Sequence, residues 1–287
     1  MVARLAVYGS PIAHSRSPIL HRTAYHLLGF DWEYGSRDVI AADLPGVIRS
    51  LDDDWRGLSL TMPLKQAAYQ LANTRDAMAE LTGAVNTLRF VGSGAERTLF
   101  GYNTDVAGIT RALAAVGVTV APHVHVLGGG ATAASAVVAA AELGALSVSV
   151  LARSPGKSES LIALGHRAGL TVDLVRFEDV GRLPQPQLVV NTLPGGSPPP
   201  VSYPVPVIAG AALLDVAYDP WPSELASRWA DAGGPVANGL SMLVHQALIQ
   251  VRIFAFNDPF QPVEDEENVL AAMLASVGLD MSGRPNA

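Results

Sequence analysis

Four short stretches carry side chains whose types and spacing suit chemistry on a small oxygenated molecule. The first is Gly9-Ser10-Pro11-Ile12-Ala13-His14-Ser15-Arg16-Ser17-Pro18. Ser17 followed by Pro18 spells a helix start, with serine as the N-cap and proline at the first helical position. Ser15 and Ser17, two residues apart at that helix N-terminus, also make a small anion site suited to a carboxylate. The second is Gly57-Leu58-Ser59-Leu60-Thr61-Met62-Pro63-Leu64-Lys65. A strand delivers Thr61 to its C-terminal end, Pro63 breaks the strand, and Lys65 opens the next segment, where open α/β sheets place their reactive groups. The third and fourth are Gly83-Ala84-Val85-Asn86-Thr87 and Gly101-Tyr102-Asn103-Thr104-Asp105. They offer an amide in an apolar strand and a carboxylate before a helix, and both also read as framework, a structural asparagine and a capping cluster. Hydride transfer to a ketone fits these residue types. Charge builds on the oxygen, and an ammonium such as that of Lys65 stabilises it and delivers a proton. Asp105 would orient the lysine and hold a hydroxyl, and the two would titrate as a coupled pair.

The most legible feature is Val124-His125-Val126-Leu127-Gly128-Gly129-Gly130-Ala131-Thr132-Ala133, a strand that runs through G-x-G-x-x-A into an Ala/Val-rich helix. Gly128 can take the tight turn, Gly130 lets backbone approach a pyrophosphate, and small Ala133 lets helix and strand lie close. The next strand ends Val150-Leu151-Ala152-Arg153-Ser154-Pro155-Gly156-Lys157, with no carboxylate before Glu159. An acidic residue there would select the ribose hydroxyl of NAD, whereas Arg153, Ser154 and Lys157 suit the 2′-phosphate of NADP. His123 and His125 lie close together but have no clustered carboxylate or third ligand, so no metal site is expected. His245 beside Gln246 reads as a packing neighbour.

These motifs need strands that end at one edge and helices that begin there. In the first third, strands are expected at Arg4–Tyr8, Trp32–Arg37 and Gly57–Thr61, with a pair at Ala84–Val91 and Thr98–Gly101. Helices are expected at Pro18–Leu28, Asp43–Leu51 and Lys65–Leu71, and a further one from Asp105 toward Ala115 that bridges two domains. A second βαβ series follows. Its strands are Val124–Leu127, Leu146–Leu151, Thr171–Arg176, Leu188–Asn191, Ala212–Ala217 and a short one at Val236, and its helices are Ala131–Leu143, Pro155–Leu164 and Ser223–Ala232. Alternation at this spacing implies parallel sheets with right-handed crossovers. Leu240–Phe254 and Glu264–Ala275 read as closing helices, the proline run Ser197–Pro200 with Pro204 and Pro206 as a stiff loop, and Ser282–Ala287 as a frayed tail.

Composition narrows the function classes. The 287 residues suggest two domains. The net charge of −7 gives no counterion-release reason to expect nucleic acid or an anionic membrane as partner. Hydrophobic residues at 49% against 16% charged exclude a disordered chain. Without cysteine there are no disulfides, thiolate metal sites or cysteine nucleophiles, and a reducing compartment is the expectation. No charged residue lies between Arg111 and Glu142, but Gly128, Gly129 and Gly130 interrupt the run, so a buried strand, turn and helix is expected there rather than a membrane span. The N-terminus shows no long apolar core or processing site, and a cytoplasmic protein is expected.

Taken in order, G-S-P-I-A-H-S-x-S-P, S-L-T-M-P-L-K, G-A-V-N-T, G-x-N-T-D, the glycine turn and A-R-S form a recognisable series. Asn191-Thr192 with Gly195, Asp215-x-x-Tyr218-x-Pro220 and Gly239-Leu240-Ser241-Met242-Leu243-Val244-His245-Gln246-Ala247 continue it. The series, from Val7 to Phe254, resembles the shikimate dehydrogenases, NADPH-dependent reductases of 3-dehydroshikimate in aromatic amino-acid biosynthesis. The resemblance implies a two-domain α/β fold. An α/β substrate domain (1–104 and 238–287) would hold an inserted Rossmann-type NADP domain (105–237), with a cleft between them. It implies that Ser15 and Ser17 bind the substrate carboxylate with Tyr218 near them. Thr61, Asn86, Asp105 and Gln246 would hold ring hydroxyls, and Lys65 would sit at the reacting hydroxyl beside Asp105. Gly128, Gly130, Ala131, Arg153, Ser154 and Lys157 would bind NADP, and Thr192, Gly239 and Met242 would approach its nicotinamide half. The implied partner is a small molecule, shikimate or 3-dehydroshikimate, and the implied assembly a monomer or homodimer. Ser59, Ser10, Ala131, Ala134 and Ala152 depart from the commonest family pattern, the last two by lacking an Arg and an Asn that grip cofactor phosphates. The alternatives are a quinate/shikimate or aminoshikimate dehydrogenase using NAD(P), and a non-catalytic ligand sensor, which would be expected to have lost Lys65 or Asp105.

Overall fold

The computed structural model describes residues 2–196, 198 and 200–286. Its chain divides into two compact units, one running through Asp105 and resuming at Leu243–Asp280, the other comprising Val106–Met242 and Met281–Arg284.

The first unit is built on β1 (Ala3–Gly9), α1 (Ser17–Leu27), β2 (Trp32–Asp38), α2 (Leu44–Arg49), β3 (Trp55–Leu60) and α3 (Lys65–Leu71). Next come β4 (Thr74–Arg75), α4 (Ala77–Thr82), β5 (Thr87–Val91) and β6 (Thr98–Tyr102). The sheet order is β2-β1-β3-β5-β6-β4. β1 pairs in parallel with both β2 and β3, while β5 runs antiparallel to β3 and β6. Residues Leu5 to Gly9 of β1 are all buried, as expected of a strand covered on both faces. Because β1 and β3 are parallel neighbours, the loops after Gly9 and Leu60 leave the same edge. A Cβ on Gly9 would lie 2.3 Å from Thr61 Cγ2, so glycine there lets the two loops touch. The core beneath is Leu58, Leu60, Leu64, Val85 and Leu88 with Ala6 and Tyr8.

α5 (Asp105–Ala115) leads into the second unit. There β7 (His123–Leu127), α6 (Ala131–Glu142), β8 (Ser147–Leu151), α7 (Ser160–Arg167), β9 (Thr171–Val175) and β10 (Leu188–Asn191) follow one another. Then come α8 (Val205–Gly210), β11 (Ala212–Asp215), α9 (Glu224–Asp231) and β12 (Val236–Asn238). All pairings are parallel, in the order β12-β11-β10-β7-β8-β9. That is the doubly wound arrangement, whose strand order reverses beside its first strand, here β7. Ala133 to Ala140 of α6 are all buried, because a helix of alanine and valine can lie close against the sheet. The closing helices are α10 (Gly239–Phe256) and α11 (Glu266–Ser276). α10 is long and apolar enough to cross a bilayer by composition alone, but 78% of it is buried inside the fold, which marks it as a core helix.

The structure corrects several local expectations. α1 begins one residue early, with Arg16 in the N-cap position and Ser17 inside the first turn. Ser15 Oγ takes over, accepting from the Ser17 N–H at 3.4 Å. Asn86 stands one residue before β5 rather than within a strand, although its N–H and C=O still bond to Tyr102 and Leu60. Pro155–Ser158 is a 3₁₀ turn ahead of α7, since Gly156 is a weak helix former. α4 was not expected. Its signals are Asp76, whose Oδ1 accepts from Ala79 N at 2.7 Å, and Gly83 closing it at φ +66°. α8 forms with Pro206 in its first turn, so part of the proline-rich loop is helical. Ser197 and Pro199 of that loop, like Ala287 of the tail, lie outside the described residues. The tail before it is tied down, with Leu279 bridging to Pro285 and Asn286 N–H bonding to Gly278 O at 2.8 Å.

Candidate active site

In the first unit, three chain-distant segments converge on the turn Thr104–Asp105, two of them on Asp105 itself. α3 starts at Lys65, and its side chain sends Nζ to Asp105 Oδ2 at 2.5 Å. The two side chains are 12% and 6% exposed, so the ion pair is far from a solvated surface bridge. Asp105 Oδ1 accepts from Asn86 Nδ2 at 2.7 Å. That amide nitrogen also lies 2.9 Å from Thr104 Oγ1 and 3.3 Å from Gln246 Oε1 on α10. Asn86 Oδ1 accepts from Thr104 N at 3.0 Å and Thr87 Oγ1 at 2.9 Å, which assigns the amide's orientation. The turn holding Asp105 is locked from behind. Asn103 Oδ1 accepts from Asp105 N at 2.9 Å, and Asn103 Nδ2 donates to Thr82 Oγ1 and Ala84 O.

Each carboxylate oxygen is thus engaged, one by an ammonium and the other by an amide. As an ammonium, Lys65 Nζ would spend one donor on Asp105 and keep others for a further acceptor. Ser15, half-buried, and Ser17, buried, stand after β1, and Thr61, half-buried, stands after β3 at the same edge. The structure therefore gathers Lys65, Asn86, Asp105 and Gln246 into one hydrogen-bonded cluster. Thr61 and the serine pair lie on adjoining loops. Thr87 and Thr104 were missed as cluster members, although both sit beside residues that sequence reasoning singled out.

The remaining expected residues belong to the second unit. Gly128 follows β7 at φ +106°, where L side chains are strained, and a Cβ would meet Thr192 Oγ1 at 2.6 Å. At Gly129 a Cβ would fall 1.9 Å from Ser158 Oγ, whereas at Gly130 it would enter open space. The triglycine turn therefore leaves its backbone open where it leads into α6, and Ala131 begins that helix. Arg153, Ser154 and Lys157 are all exposed just past the C-terminal end of β8, with no carboxylate among them. A positive-φ turn, an open backbone at a twelve-residue helix and an exposed basic cluster fit a dinucleotide bearing an extra phosphate. Thr192 Oγ1 bonds to Leu127 O at 2.8 Å, tying β10 to the glycine turn. Gly239 starts α10 against Val216 O, Met242 is buried on the same helix, and Tyr218 is half-buried after β11.

Other motif residues serve the framework. Asp215 is buried and accepts from Asn191 Nδ2 at 3.0 Å, Ala217 N at 3.2 Å and the Ser223 hydroxyl. Burial pushes its carboxyl above the usual aspartate range. His123 Nδ1 pairs with Ser147 Oγ, and His125 lies between Tyr203 OH and Pro184 O.

Comparison with known proteins gives matches over part of the first unit and over nearly the whole chain. A family model, the shikimate dehydrogenase substrate-binding domain, matches residues 7–88. The shikimate dehydrogenase (NADP(+)) of Methylobacterium radiotolerans is 35% identical over 255 residues, spanning 85% of this chain and 88% of that protein. The crystal structure of Mycobacterium tuberculosis shikimate dehydrogenase is 39% identical, with a TM-score of 0.78 over 95% of this chain and 99% of that one. Shikimate 5-dehydrogenase of Thermus thermophilus, solved in complex with NADP(H) and shikimate, is 30% identical. Its TM-score is 0.78 over 96% of this chain and all of that one.

Proposed function

Because the chain belongs to the shikimate dehydrogenase family, we propose that it catalyses the reversible NADPH-dependent reduction of 3-dehydroshikimate to shikimate. That makes it an NADP-dependent oxidoreductase acting on a CH–OH group, in aromatic amino-acid biosynthesis. The observation that carries the reading to this chain's own residues is the largely buried Lys65–Asp105 pair, whose carboxylate is held by Asn86, itself in contact with Gln246. We assign the substrate to the unit holding that cluster and NADP to the doubly wound unit.

Bound NADPH supplies the hydride. Lys65 Nζ meets the negative charge that grows on the carbonyl oxygen and gives it a proton, which electrostatically favours the transition state over the ground state. Asp105 aims the ammonium through Oδ2 while Asn86 fixes the carboxylate through Oδ1. Asp105, Asn86, Thr61 and Gln246 hold the ring hydroxyls, and Ser15 and Ser17 receive the substrate carboxylate. Gly128, Gly130 and Ala131 cradle the pyrophosphate with backbone N–H groups. Arg153, Ser154 and Lys157 take the 2′-phosphate, and Thr192, Gly239 and Met242 hold the nicotinamide half.

The test is initial-rate absorbance at the NADPH band, with shikimate and quinate each offered with NADP and with NAD. Shikimate with NADP is expected to give the highest kcat/KM. Preference for NAD would overturn the cofactor assignment, and preference for quinate the substrate assignment.

A further inference from the structure

Behind the Asp105 cluster runs a second buried chain of hydrogen bonds, to which the reaction assigns no role. Gln250 lies one turn beyond Gln246 on α10, so both amides leave the same helix face. Gln250 Oε1 accepts from Ser59 Oγ at 2.8 Å and faces His21 Nε2 at 3.2 Å. Its NH₂ points the other way, to Asn86 O at 3.3 Å, a carbonyl that can only accept and so fixes the amide's orientation, and to Thr87 Oγ1 at 2.9 Å. With that lone pair occupied, the Thr87 hydroxyl proton is free to go to Asn86 Oδ1, 2.9 Å away.

The start of the chain is also polarised. Tyr34 OH donates to Ser59 Oγ at 2.6 Å, which leaves the Ser59 proton for Gln250. His21 is stacked on Tyr34 at 4.0 Å between ring centres, and its Nδ1 lies 3.1 Å from Tyr25 OH. Full burial holds the imidazole neutral, its pKa lowered to about 3, so it has one N–H, which Gln250 takes. Ser59, Thr87 and Gln250 are all within 5% of complete burial, so no solvent competes for these bonds.

We propose that Gln250 and Thr87 are positioning residues for the proposed reduction. Through one directional hydrogen-bond chain they hold the Asn86 amide with its NH₂ on Asp105, which keeps that carboxylate an acceptor and leaves Lys65 the proton donor. The inference rests on the reading of Lys65 and Asp105 given above. Ser59 acts within this chain, its hydroxyl linking Tyr34 to Gln250.

The test compares Thr87→Val, which keeps the shape and removes the hydroxyl, with Thr87→Ser, which restores it. Gln250→Met and the double variant Thr87→Val with Gln250→Met complete the set. Thermal melts establish folding, and steady-state kinetics with shikimate and NADP give kcat and KM. Thr87→Val and Gln250→Met are each expected to lower kcat about 10- to 100-fold, the scale of a displaced active-site group, with KM for shikimate within about threefold. Thr87→Ser is expected to keep wild-type kcat. The double variant is expected to lose no more than the worse single one, since both cut the same chain. Thr87→Val with normal kcat, equal losses in Thr87→Val and Thr87→Ser, or additive losses in the double variant would each overturn the positioning role. A wild-type protein inactive on shikimate would instead overturn the reaction itself, and the positioning role with it.

Discussion

Lys65 and Arg153 are assigned different jobs, and substitutions at single side chains separate them. Lys65→Ala removes the ammonium but leaves Asp105 its bond from Asn86 Nδ2, so the carboxylate is not stranded and the fold is expected to hold. Loss of a general acid is felt in the transition state, so kcat is expected to fall about 10²–10⁴-fold while shikimate binding changes little. Calorimetric binding and circular dichroism beside the kinetics check this, and a folded variant with near-normal turnover would remove lysine from the mechanism. Asp105→Ala should harm both kcat and KM, because the same carboxylate aims Lys65 and is assigned a hydroxyl. Arg153 is exposed and makes no contribution to the core, so Arg153→Ala should leave the melting temperature unchanged. It should raise KM for NADP by the loss of a charge-assisted contact, about 1.5–3 kcal/mol, with KM for shikimate little altered.

At the scale of elements, the glycines that open α6 and α10 make opposite predictions. At Gly239 a Cβ would lie 2.3 Å from Val216 O and 2.8 Å from Asp215 O. Those obstacles are backbone at the end of β11 and cannot swing aside, so Gly239→Ala should cost about 1–3 kcal/mol and lower the melting temperature. Gly130 has open space where its Cβ would go and an extended φ of −92°, which any residue adopts. Gly130→Ala should therefore cost less than about 1 kcal/mol of helix-start stability, yet raise KM for NADP by filling the backbone approach. Melts and NADP kinetics on both variants read the contrast directly. The elements themselves were mostly legible, and α3, α5 and β10 fall at the residues expected, because apolar periodicity and breakers are local signals. α4 was not, because it buries only Ala79 and so shows no apolar stripe, although Asp76 and Gly83 mark both ends.

For the whole molecule, buried titratable groups set how stability responds to acid. His125 has its pKa lowered to about 4 by burial and His21 to about 3, each against 6.5 for a free histidine. Below pH 6.5 the unfolded chain takes up protons that the folded one refuses. Stability from these histidines is therefore full above pH 6.5 and lost as pH falls toward 4 and 3. Asp76 has the opposite sign. Burial raises its pKa to about 6, so its contribution is fullest below the unfolded value of 3.8 and is lost as pH rises through 6. Since the two effects oppose, the clean measurement is a difference. In urea unfolding, the stability lead of the wild type over His125→Gln should shrink by up to about 1.4 kcal/mol per pH unit between pH 6.5 and 4. A constant lead across that range would mean His125 is not held neutral by burial.

What the sequence by itself determined was whatever local order can carry. The strand–glycine–helix turn at Gly128, the missing carboxylate before Glu159, the break at Pro63 ahead of Lys65 and the ordered motif series all reside in runs of a few residues. Backbone conformation and cofactor chemistry respond to such runs directly. Only the tertiary structure decided that Asn86 clasps Asp105 and meets Gln246 from 160 positions away. The same holds for His21 and Gln250, which meet across 229. Contacts at that separation come from sheet order and from the face on which α10 packs. Periodicity fixes which residues of a helix are buried, but not which partner covers them. That is why Gln246 could be singled out by its motif, while the partners of Gln250, one turn on and also buried, are set only in the folded chain.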